Sequence, residues 1–181
     1  MKANVNPTPS LKQHNLGLEK SAVAASKPRT PNALLRSALG RFATGVSIVT
    51  VRSGDDEPVG LTCNSFAALS LDPPLVTWAL QSASPSRVAF EQATHFAVNV
   101  LGAEQRLLAE QFAKRSAQKF DGVALTAPHG LPFLKNAIAT FECKLISAHE
   151  HGDHVLFIGL VEHFEQHAGE PLLFIDGKLQ P

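Results

Sequence analysis

Apolar positions keep no regular period over the first thirty or so residues of this chain, where Pro, Ser, Asn and Lys dominate. They then fall into one. Leu34, Leu35, Ala38, Leu39 and Phe42 lie on one face of a helix, and Thr30-Pro31 ahead of them reads as an N-cap followed by proline at the first helical position. Gly45 is expected to end that helix. Beyond it the pattern shortens to β-branched or alternating runs: Val46 to Val51, Leu75 to Leu80, Phe96 to Leu101, Ala137 to Ser147, His154 to Phe164 and Pro171 to Ile175. The turn "SGDDEP" joins the first of these to the stretch that follows as a hairpin. Two short helical patterns interrupt the strands, one around Ser86 to Gln92 and one from Ala103 to Phe112, with Leu107, Leu108 and Phe112 on one side. Consecutive strands joined by turns, with a few covering helices, predict a mainly β protein built as an antiparallel barrel.

One stretch fits this pattern poorly. "GLTCNSFAALSLDPPLV", Gly60 to Val76, reads as a strand but crowds Thr62, Asn64 and Ser65 at one end before running through Ser70 into Asp72-Pro73-Pro74. A half-buried strand alternates more evenly. Something polar is expected to lie against that end, or the hydroxyls satisfy a bulge.

Composition places the chain among globular proteins without choosing a partner for it. It has 181 residues, 44% of them hydrophobic and 18% charged, enough for one domain with a sizeable core. Sixteen basic residues balance sixteen acidic ones, so no global field recommends nucleic acid or anionic lipid. Cys63 and Cys143 are far apart and read as small core residues of a reducing compartment. No segment has a signal-peptide core or the ~18 consecutive apolar residues of a membrane span. The expectation is a cytoplasmic protein with a disordered tail over residues 1–31 and one domain over residues 32–181.

Several chemistries find no motif. The glycines form no GxG pair, which excludes a dinucleotide-binding loop of the Rossmann kind, and there is neither a P-loop nor a GxSxG elbow. "HEHGDH", His149 to His154, does match the HxHxDH pattern of zinc hydrolases of the metallo-β-lactamase type. It comes too near the C-terminus for the further ligands of that family, and a turn at Gly152-Asp153 between two strands accounts for it. No metal site is assigned.

Taken in order, "RFATGVSIVT", "GLTCNSFAALSLDPPLV", "FAVNVL", "EQFAKRSAQKFDG", "GLPFL", "GDHVLFIGLV" and "EPLLFIDGKL" resemble the flavin reductase-like family, the split-barrel reductases that serve two-component monooxygenases. The resemblance covers roughly Leu35 to Leu179. It implies a split antiparallel β-barrel that binds FMN or FAD and takes hydride from NADH or NADPH. It further implies a homodimer, with the N-terminal helix near its interface, that passes reduced flavin to a partner monooxygenase.

The resemblance also implies roles for particular residues. The segment Thr62, Cys63, Asn64, Ser65 lines the flavin with hydroxyl, amide and backbone groups, Cys63 contributing no chemistry, while Phe66, Ala67 and Ala68 keep the wall apolar. The phosphate falls to "SASPSR", with Ser82, Ser84, Ser86 and Arg87, and to Arg115 and Lys119, of which Ser84 and Lys119 are the preferred pair. Phe120 is either core or an apolar contact to the flavin. Gly152, Asp153 and His154 face the nicotinamide nucleotide. The chain departs from many relatives in ending its last motif Gly177-Lys178-Leu179, where they have tyrosine after the lysine, and this leaves NADH against NADPH open. Because hydride transfer needs positioning and not a nucleophile, no catalytic triad is expected. The alternative activities are a flavin-binding carrier or sensor without turnover and, further off, a zinc hydrolase.

Overall fold

The computed structural model describes residues Thr30 to Gln180. The tail expected over residues 1–31 therefore lies outside the described residues, apart from Thr30 and Pro31, which already open the first helix. In α1 (Pro31–Leu39) the Thr30 hydroxyl accepts the Ala33 N–H at 3.3 Å, and Pro31 takes the position where a missing N–H costs least. The helix stops at Gly40, not at Gly45. There the Gly40 carbonyl accepts the Asp176 N–H at 2.7 Å and Arg41 pairs with the Asp176 carboxylate at 3.0 Å, so the C-terminal hairpin captures the chain.

Five strands follow: β1 (Thr44–Gly45), β2 (Ser47–Arg52), β3 (Pro58–Cys63), β4 (Ala67–Leu71) and β5 (Pro74–Gln81). After α2 (Arg87–Gln92) comes β6 (His95–Val100), then a 3-10 turn at Ala103–Gln105 leading into α3 (Arg106–Ala113). The chain finishes with β7 (Leu125–Thr126), β8 (Phe133–Leu134), the long arms β9 (Ala139–His151) and β10 (His154–Gln166), and β11 (Leu173–Ile175) and β12 (Lys178–Gln180).

The strands pair antiparallel throughout, and the largest sheet has the order β3-β2-β6-β9-β10-β5-β4. β1, β11 and β12 form a second, small sheet, and β7 with β8 a third. β3 at one end of the large sheet and β5 near its other end line one cavity together without pairing. The sheet thus curls until its ends face each other, which is the expected split antiparallel barrel.

β2 is buried along nearly its whole length because it is covered on both sides. Val49 and Val51 face a core with Trp78, Phe90, Phe96 and Phe157, while Ile48 faces Leu101, Phe112 and Leu172 beneath α3. Trp78 stacks on Phe157 with centroids 4.5 Å apart and meets Phe90 edge-on at 4.9 Å. Each such ring contributes about 1.5–3 kcal/mol by burial. On α3 the buried residues are Ala109 and Phe112, with Leu108 packed at the margin, whereas Leu107 is exposed. The expected apolar side of this helix is therefore rotated towards Ala109.

Candidate functional site

The polar cluster at Thr62 to Ser65 marks a corner, not the end of a single strand. β3 stops at Cys63 and β4 starts at Ala67, so Asn64 to Phe66 turn the chain between them. The Ser65 hydroxyl accepts the Ala79 N–H at 2.9 Å and lies 3.2 Å from the Ala79 carbonyl, to which it donates. This side chain ties the corner to β5 and prolongs the β4–β5 pairing. The Thr62 hydroxyl donates to the Ala109 carbonyl at 2.6 Å and so fastens β3 to α3. Both hydroxyl protons are engaged within the protein, which leaves only their lone pairs for anything else. The Asn64 side chain is exposed and makes no hydrogen bond to the described residues.

Between these elements lies a cavity of about 850 Å³. Of the residues singled out from the sequence it gathers Thr62, Cys63, Asn64, Ser65, Ser84, Arg115, Lys119, Phe120 and His154. Ser86 joins them. Apolar wall comes from Val59, Leu61, Leu80, Ala89, Phe112 and Phe120. Phe112 and Phe120 meet edge-to-face at 4.8 Å, and Gly60 beside them has no room for a side chain: a Cβ there would sit 2.9 Å from Phe112 and 3.1 Å from Phe120.

Five of the residues expected against the flavin or the nucleotide do not line the cavity, Ala67 among them as an exposed residue of β4. Phe66 turns into the barrel and packs on Phe141 at 5.5 Å. Ala68 is an exposed residue of β4 paired with Val76. Gly152 and Asp153 form the exposed turn between β9 and β10, where Gly152 has φ 63°. Asp153 acts from behind: its carboxylate is 2.7 Å from His154 Nδ1, which fixes that nitrogen as the donor and leaves Nε2 free. The hydrogen bond and charge of His154 hold the Asp153 carboxyl below the usual range. Two residues of the phosphate segment are also turned away. Arg87 is held by Glu91 at 2.8 Å and Glu150 at 3.3 Å, and the Ser82 hydroxyl is buried without a partner, behind a backbone bond from Ser82 N–H to the Asp153 carbonyl at 2.9 Å.

The charge of the lining is one-sided. Lys114, Arg115 and Lys119 line the cavity, and among the described residues no carboxylate does. Lys119 Nζ donates to the Gly60 carbonyl at 3.1 Å, and burial pushes its pKa below the ordinary 10.5. Such an ammonium gains from an anion beside it. The loop carrying it is secured by Gln111, whose side-chain amide donates to the Lys119 and Asp121 carbonyls at 2.8 and 3.2 Å. Cys63, by contrast, is buried with its thiol pKa raised, chiefly by that burial, and is no nucleophile.

Sequence reasoning missed the share taken by Lys114, Ser116 and the β5 segment Ala79 to Gln81, all of which line the cavity. Lys114 and Ser116 stood inside the quoted "AKRSAQKF" and carried a basic signal. β5 carried none, because its place depends on how the sheet closes.

A cation-lined slot with apolar walls fits a flat, hydrogen-bonding ring system bearing a phosphate. The lining has donors at Asn64 and Arg115 with no hydrogen-bond partner among the described residues, and a partly buried ammonium at Lys119. The family described as "Flavin reductase like domain" matches residues 39–181. The chain is 42% identical over 143 residues to FMN reductase (NADH) SmoA of Agrobacterium fabrum, covering 78% of this chain and 81% of that protein. It is 43% identical over 145 residues to HsaB of Rhodococcus jostii, the reductase subunit of a flavin-dependent monooxygenase, covering 79% and 74% of the two chains. Among solved structures, the NADH:FAD oxidoreductase SgcE6 of Streptomyces globisporus C-1027, in complex with NAD and FAD fragments, superposes with a TM-score of 0.79 at 35% identity, covering 86% of this chain and 96% of that one.

Proposed function

This chain belongs to the flavin reductase-like family, and we propose that its cavity takes FMN or FAD together with NADH or NADPH and reduces the flavin by hydride transfer. The observation that carries this reading is the pairing of apolar walls with three cations and, among the described residues, no carboxylate in one cavity of about 850 Å³. The names of SmoA and SgcE6 favour NADH over NADPH. Those of HsaB and its like favour release of reduced flavin to a partner monooxygenase.

When bound, the flavin supplies the electron-accepting ring and the nicotinamide supplies the hydride, so the chain itself has only to bind, orient and keep water away. Lys119, Arg115 and Lys114, together with Ser84, would hold the phosphate. Asn64 and the backbone of the corner would offer hydrogen bonds to the polar rim of the ring, and Leu61, Leu80 and Phe120 would supply its apolar surroundings. His154, locked by Asp153, presents Nε2 to the nicotinamide nucleotide. A fixed near-contact geometry replaces acid–base chemistry here. The working unit is a cytoplasmic homodimer.

Anaerobic stopped-flow mixing of protein and FMN or FAD with NADH or NADPH tests the reading, followed by the loss of oxidised-flavin absorbance. Enzyme-dependent bleaching is expected, fastest with NADH. Flavin binding with no bleaching for any pair would make the protein a carrier or sensor instead. In His154→Ala the Michaelis constant for NADH should rise with flavin affinity unchanged; unaltered kinetics would remove His154 from the site.

A further inference from the structure

A second cluster of chemically able side chains lies on the outer face of the sheet, away from the cavity just described. Glu142 sits on β9 directly opposite His163 on β10, so the two side chains leave the same face. That register exists because Glu162 is bulged out between the pairs Val161↔Cys143 and His163↔Glu142. A third group arrives from the segment that covers this face. His129 stands in a tight turn at Pro128–Gly130 with φ 53°, and its Nδ1 lies 2.7 Å from Glu142 Oε2. The His129 and His163 rings are 5.1 Å apart.

The covering segment is firmly held. Arg52 Nε donates to the Gly130 carbonyl and the Thr50 hydroxyl to the Pro132 carbonyl, both at 2.6 Å, and Asn99 Oδ1 accepts the Leu134 N–H at 2.8 Å. The turn carrying His129 is thus pinned by Thr50, Arg52 and Asn99, and its exposed imidazole is directed at Glu142. Glu142 is only 8% exposed, an unusual burial for a carboxylate. Two imidazoles and this carboxylate, from three elements, bring one ligand atom each to within 4.8 Å of one another. They border a cavity of about 450 Å³ that Thr140, Glu165 and His167 also line.

We propose that His129, Glu142 and His163 bind a divalent transition-metal ion of the zinc class, with water in the remaining position. Two nitrogens and one carboxylate oxygen with an open position suit Zn²⁺ and exclude neither its size nor its geometry. Ligand atoms on one such ion stand roughly 3.4 Å apart. The His129–Glu142 hydrogen bond opens slightly to admit the ion, the Nδ1 proton passes to water as the imidazole takes the tautomer protonated at Nε2, and the exposed His163 side chain swings in to complete the set. The ion fastens the covering segment to the β9–β10 arms. It takes no part in the chemistry of the first cavity, whose lining shares no residue with this one. The HEHGDH stretch is not this site: His149 and His151 have rings 6.4 Å apart, and His154 is engaged by Asp153.

The test is titration of the full chain, purified without a polyhistidine tag, with zinc sulfate in competition with a chromophoric chelator, alongside Co²⁺ absorption. One equivalent of Zn²⁺ is expected in the parent protein and a melting temperature that climbs with zinc. His163→Gln alters an exposed side chain and should melt like the parent without metal, yet bind zinc more than about tenfold more weakly and lose the zinc-dependent rise. The pair His149→Gln and His151→Gln should bind as the parent does. Less than one equivalent in the parent, unchanged affinity in His163→Gln, or loss of binding in the His149/His151 variant would each overturn the proposal.

Discussion

Ser65 shows how much one hydroxyl decides. It joins the corner after β3 to both backbone polar groups of Ala79, continuing the register in which β4 pairs with β5. Ser65→Ala removes the acceptor of the Ala79 N–H at an exposed site that water can reach, so a loss of about 0.5–1.5 kcal/mol is expected, read as a lower urea midpoint at unchanged slope. Lys119 decides a different quantity. Its charged form binds a phosphate, and burial already lowers its pKa. FMN affinity should therefore be full at neutral pH and fall as pH rises through that lowered pKa, while Lys119→Met should bind about tenfold or more weakly with a flat profile over the same range. For the free chain the sign is opposite. The unfolded state holds more protons between the two pKa values, so stability rises with pH there. Residue identities at this site were legible, because Thr62 to Ser65 and "AKRSAQKF" carry donors and charge. Their duties were not, since the partners of Thr62 and Ser65, Ala109 and Ala79, are remote in sequence.

At the scale of elements, the strands from Val46 to Ile175 were visible as apolar runs and their edges moved by a few residues. What the runs could not show was the break inside Gly60 to Val76, because the corner is held by that same long-range bond. β1, β7, β8 and β12 escaped notice, each being only two or three residues long, too short to carry a period. The histidine cluster escaped too: His129, Glu142 and His163 belong to three separate segments that only strand register and a bulge bring together. Packing between elements makes a sharper claim at Gly60, where β3 passes under α3. Gly60→Ala puts a methyl group against Phe112, which is fully buried and has nowhere to go. A loss of about 1–3 kcal/mol is expected by thermal or urea unfolding, with a narrower cavity and weaker flavin binding. Gly45→Ala, where a Cβ would meet nothing within 4 Å, is the matched control and should unfold as the parent does.

The whole molecule leaves α1 unpartnered. Among the described residues nothing covers it: none of its residues is buried, Leu35 and Leu39 are 60% and 66% exposed, and Phe42 just beyond it is 78% exposed. A contiguous apolar face of this kind is costly in water unless something covers it, and the proposed homodimer offers a second copy. Replacing Leu35 and Leu39 together by Glu should give a folded monomer by light scattering, since neither side chain supports the barrel; a dimer of undiminished stability would place the interface elsewhere. The barrel interior holds one more feature with a practical consequence. The chain has one tryptophan and no tyrosine, and Trp78 is sealed in the core one residue before Ala79 at the cavity wall. Its near-ultraviolet emission comes from a single, rigid, dry donor, and any chromophore absorbing at that colour in the cavity would quench it by energy transfer. The protein therefore carries a built-in optical gauge of its own occupancy, readable on the unlabelled chain.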